Sequence, residues 1–82
     1  MKVWLLGNGD DIPTNQVVGI GELPAEFVTQ LQAGDWVTCK GTPHYWITED
    51  GISLEGSWEI VSREFVWTAL KTTPELKLYV KL

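Results

Sequence analysis

A chain of 82 residues with 44% apolar content is one small domain, too apolar to stay disordered and large enough to build a single modest core. Its apolar runs are only a few residues long, which excludes a membrane-spanning helix, and Val3–Leu6 is too short for the apolar core of a signal peptide. The net charge of −5 argues against direct binding of DNA or RNA through a basic patch, and the single Cys39 cannot form an internal disulfide; a cytoplasmic location is expected.

Lys2–Leu6 predicts a first strand, ended by Gly7-Asn8-Gly9-Asp10-Asp11, residue types that favour turns. Gln16–Val18 predicts a short second strand, broken by Gly19 and Gly21. A helix is predicted over about residues 24–33. Pro24 suits its first turn, Phe27, Val28 and Leu31 make one apolar stripe, Glu26 complements the dipole, and Gly34 stops it.

Asp35–Lys40 alternates as a strand, with Val37 and Cys39 on one face and Trp36, Thr38 and Lys40 on the other. His44–Glu49 and Ile52–Ile60 flank Asp50-Gly51, a pair favoured in type I′ hairpins. That turn would set Ile47 opposite Leu54, Trp46 opposite Glu55 and His44 opposite Ser57. In the second arm, Ile52, Leu54, Gly56, Trp58 and Ile60 share the expected core face, with a bend at Gly56. Glu64–Leu70 fits a strand buried on both faces, its competitor being a helix from Ser57 to Leu70. A final amphipathic strand carries Leu76, Leu78, Val80 and Leu82 on one face.

The expected fold is therefore α+β and mostly β. It is a bent antiparallel sheet or small open barrel of six to seven strands with one helix, in a single domain over residues 1–82.

Chemistry is hard to place on this chain. Cys39 and His44 are the only thiol and imidazole, and they fall on different faces, an apolar one and a polar one. Zinc needs more such ligands. The Asn8, Asp10 and Asp11 turn lacks the EF-hand calcium pattern, and the G-x-G pairs complete no phosphate-binding motif. The expectation is no enzyme, no metal and no cofactor. Tryptophan is the anomaly, with five residues in the chain. Trp58 and Trp67 fit the core. Trp46 falls among polar neighbours, and large aromatics on a polar face are frequent contact residues. Trp46, Trp36, His44 and Glu55 are the candidate binding residues.

The function expected is binding to another protein, a second copy of this chain included, as an inhibitor, adaptor or self-associating subunit. A phage or mobile-element origin would suit a short acidic inhibitor. The alternatives are a carbohydrate or other small-ligand module using exposed Trp, and an acidic mimic of nucleic acid. No membrane association is expected.

Overall fold

The computed structural model describes residues 1–40, 46–67 and 74–82. The elements run β1 (Lys2–Gly7), β2 (Val17–Glu22), α1 (Ala25–Val28), β3 (Trp36–Lys40), β4 (Trp46–Ile47), β5 (Glu55–Val66) and β6 (Glu75–Lys81). The strands form one six-stranded sheet in the order β3-β5-β6-β1-β2-β4. The sheet curls nearly into a barrel, leaving an unsealed seam between its end strands, β3 and β4.

Period-two alternation builds the interior. β1 contributes Val3 and Leu5, β3 Val37 and Cys39, β5 Trp58 and Ile60, and β6 Leu76, Leu78 and Val80. Ile12 from the β1–β2 loop, Val28 from α1 and Leu54 complete this cluster. No buried side-chain polar atom lacks a partner among the described residues, so the core is held by apolar burial without an uncompensated polar group.

The sheet is mixed. Every paired strand is antiparallel except β1 and β6, which run parallel. Parallel neighbours need a long crossover, and here nearly the whole chain supplies it. The direction of β6 is set by its antiparallel ladder with β5, and alternation within β6 carries no information about that.

Several local expectations are corrected. The second strand does not stop at Gly19; β2 continues through it and through Gly21. A Cβ on Gly19 would lie 2.6 Å from Leu54 Cδ2, so this glycine makes room for a core leucine rather than breaking a strand. The helix spans four residues instead of about ten. Beyond it the chain tightens, Gln30 N–H donating to Phe27 O and Leu31 N–H to Val28 O. The Arg63 guanidinium, reaching over from β5, donates to the carbonyls of Thr29 and Leu31 and so takes the place of further helical turns. Of the apolar stripe, Val28 is fully buried, Leu31 half-buried and Phe27 60% exposed.

The Asp50-Gly51 turn exists, but it is not type I′. Gly51 has φ +80°, while Asp50 has no positive φ, and type I′ requires both. Gly51 N–H donates to Thr48 O, and Thr48 N–H donates to Ile52 O. This is a three-residue loop, a type I turn followed by a left-handed glycine. Ile47 therefore bridges Ser53 instead of Leu54. The hairpin also ends early: from Glu55 the chain leaves β4 and pairs with β3.

β5 is 12 residues long and serves two neighbours. Residues Glu55–Glu59 pair with β3, and the ladder with β6 begins at Glu59, with a bulge between Ile60 and Ser62. Gly56 takes φ +139°, so the expected bend is present. The Ser57–Leu70 helix is excluded as far as Val66. Phe65 near the end of β5 is 44% exposed and Trp67 just beyond it 68%, which corrects the burial expected for both. Ile52 and Leu82 are also exposed, at 64% and 66%. Residues 68–70 lie outside the described residues.

Candidate functional site: the open seam

Trp46 sits in β4, where it pairs with Gly21, and its carbonyl accepts the Leu54 N–H at 3.1 Å. Its side chain is half-buried and packs against the core. Trp36 is 56% exposed and lies opposite Glu59. Glu55 is exposed and lies opposite Lys40. Trp36 and Glu55 thus occupy opposite ends of the β3–β5 ladder, about 13 Å apart along the strands. His44 lies outside the described residues.

What meets Trp46 is a different set of residues. Leu23, Pro24 and Phe27, from the turn into α1 and its first residues, face Thr38, Cys39 and Lys40 of β3 across a groove of about 450 Å³ that Trp46 also lines. Leu23, Pro24 and Phe27 were not legible as site residues. They reach the seam because β2 pairs with β4, and Leu23 follows directly on the end of β2. The sequence places Phe27 in the apolar stripe of a longer helix; the four-residue helix leaves it exposed at the seam.

The backbone along β3 is the second feature of the seam. Ile60 on β5 spends its N–H on Asp35 O at 2.8 Å and its C=O on Gly34 N–H at 2.9 Å. Antiparallel ladders alternate, so Trp58 and Gly56 point the same way and bond Val37 and Cys39. Trp36, Thr38 and Lys40 then direct their N–H and C=O groups away from β5, toward the seam. The Thr38 and Ser57 hydroxyls, 3.0 Å apart, fit the close side-chain spacing of a non-hydrogen-bonded pair. No strand pairs with this outer edge among the described residues.

Glu22 and Glu26, each next in sequence to a lining residue, are exposed, and among the described residues of the lining Lys40 is the cation. Burial pushes the Cys39 thiol above its ordinary pKa, which keeps it protonated and a poor nucleophile. A second depression of about 380 Å³ is lined by Trp4, Leu6, Asn15, Val17 and Lys77. Its indole is already engaged: Trp4 Nε1–H donates to Glu75 Oε1 at 2.8 Å, and Lys2 Nζ lies 4.4 Å from the ring centroid. Among the described residues no three His, Cys, Asp or Glu side chains are grouped to hold a metal ion. No helix among them is long and apolar enough to cross a membrane.

No known protein family, curated protein or solved structure matches this chain.

Proposed function

We propose that this chain is a non-enzymatic protein-binding module that takes up an extended segment of its partner along the outer edge of β3, which no strand pairs among the described residues. The supporting observation is the coincidence, in one seam, of outward backbone groups at Trp36, Thr38 and Lys40 with an apolar groove beside them. An edge strand is a template for another strand, main-chain bonds giving affinity and side-chain pockets giving selectivity. Trp46 and Phe27 would supply the apolar contact, and Trp supplies much area at little entropy cost. Such binding needs no cofactor. A cytoplasmic setting belongs to the same proposal and suits the lone, protonated Cys39.

The test is Thr38→Pro. Proline removes the outward N–H and blocks the edge, yet leaves the bonds that Val37 and Cys39 make to β5. Extended peptides would be selected from a displayed random library on the wild-type chain and titrated against both proteins. The expected result is at least about tenfold weaker binding to the variant, with an unchanged circular dichroism spectrum. Selected peptides that bind both proteins equally would overturn the proposal.

A further inference from the structure

Resting on that reading, we infer that the segment taken up in the seam is β3 of a second copy of this chain, paired antiparallel about a two-fold axis through Thr38. Strand β3 reads Trp36-Val37-Thr38-Cys39-Lys40. Turned end for end against itself about Thr38, it sets Thr38 opposite Thr38, Trp36 opposite Lys40, and Val37 opposite Cys39. Each of these pairs is chemically matched.

The outward backbone groups belong to Trp36, Thr38 and Lys40, and these are the residues that become hydrogen-bonded pairs in this register. No outward group is left over within the strand. On the outer face, each indole meets a lysine of the other copy. Trp36 is 56% exposed, and among the described residues Lys40 makes neither an ion pair nor a ring contact. An ammonium over an indole face is a favourable pair, and the two-fold makes it twice. On the inner face, Val37 and Cys39 are both buried and apolar, so pairing them across the axis exposes no polar group to the core.

The two-fold also explains how such an edge avoids open-ended stacking. A two-fold pairing is isologous: it uses the β3 edge of both copies at once and leaves neither edge open to a third copy. The assembly closes at the dimer.

Two measurements test this together. Sedimentation velocity across a concentration series up to millimolar should show a monomer–dimer equilibrium. Trp36→Lys, which sets lysine against lysine, and Lys40→Glu, which sets a carboxylate over the indole, should each weaken the dimer by about tenfold or more. Register is read separately by Thr38→Cys in a Cys39→Ala background. Paired residues on facing strands lie about 5.5 Å apart at Cα, within reach of a disulfide, so mild oxidation should trap a covalent dimer. Trp36 and Lys40 sit on an exposed face, so Trp36→Lys and Lys40→Glu remain informative if the cysteine variant does not fold. A chain that stays monomeric at millimolar concentration, while still binding edge-dependent peptides, overturns the second-copy inference and leaves the strand-addition proposal standing. A dimer indifferent to Trp36→Lys, Lys40→Glu and oxidation overturns the inference as well, since its interface then lies elsewhere. Absence of both dimer and edge-dependent peptides overturns both.

Discussion

Gly7 closes β1, and its environment forbids any side chain. A Cβ there would lie 2.0 Å from Pro13 O, 2.7 Å from Ile12 Cγ2 and 2.9 Å from Ile12 O. Two of these three atoms are backbone, so no rotamer change relieves the clash. The loop itself must move. That loop is tied down: Gly7 N–H donates to Gln16 O at 2.9 Å, Asn15 N–H to Gly7 O at 3.0 Å, and Gly9 N–H to Ile12 O at 2.8 Å. Overpacking in a tight site costs roughly 1–3 kcal/mol, and giving up one of the loop bonds adds about 1. Gly7→Ala should therefore cost roughly 3 kcal/mol, a large share of the about 4–12 kcal/mol available to a domain of this size. At about 4–8 °C per kcal/mol, the melting temperature should fall by roughly 12–24 °C. Thermal melts followed by near-ultraviolet circular dichroism, which reports Trp packing, are the assay. A fall of less than about 4 °C would show that the loop yields freely and that the close approach at Gly7 is not a constraint.

The turn geometry separates two hairpins. Glu49→Pro should leave stability unchanged or raise it by a few tenths of a kcal/mol, since proline fits the first central position of a type I turn, and a drop above about 2 kcal/mol would restore the type I′ assignment. Gly51→Val should cost about 1–2 kcal/mol, because φ +80° is strained for a β-branched residue; an unchanged denaturant midpoint would contradict it. Trp46→Ala should cost about 2–3 kcal/mol in chemical denaturation, less than the roughly 3–5 expected for Trp58→Ala in the core, while Trp67→Ser should fall within about 0.5 of wild type. Cys39 should react slowly with a thiol reagent at neutral pH and much faster once the chain is unfolded, because burial raises its pKa and depletes the thiolate. The sign for stability follows: the folded chain holds this proton longer, so the stability it contributes is present below the ordinary thiol range and is lost as pH rises through the raised value. Rapid native-state labelling at neutral pH would refute the buried thiol.

Residue by residue, the sequence determined which face each strand side chain takes, because alternation depends only on a residue's neighbours. Val37 and Cys39 against Trp36 and Thr38, and Leu76, Leu78 and Val80 against Lys77 and Tyr79, follow from period two alone. Gly56 was legible as a bend and Asp50-Gly51 as a turn, since each reflects a local backbone preference. Whether a face is covered is another matter. Phe65, Trp67, Ile52 and Leu82 have the apolarity of core residues and remain exposed, because coverage depends on elements distant in the chain. The helix stops short of its sequence pattern for the same reason: the Thr29 and Leu31 carbonyls just beyond it are taken by Arg63, which is remote in sequence. The seam belongs wholly to tertiary structure. It arises because β5 leaves β4 to pair with β3 while β4 turns to β2, and nothing local in Trp46 or Glu55 encodes that exchange of partners. Strand partners are chosen by the free energy of closing the whole sheet around one core, a sum over contacts far apart in the chain, and no window of neighbouring residues contains it.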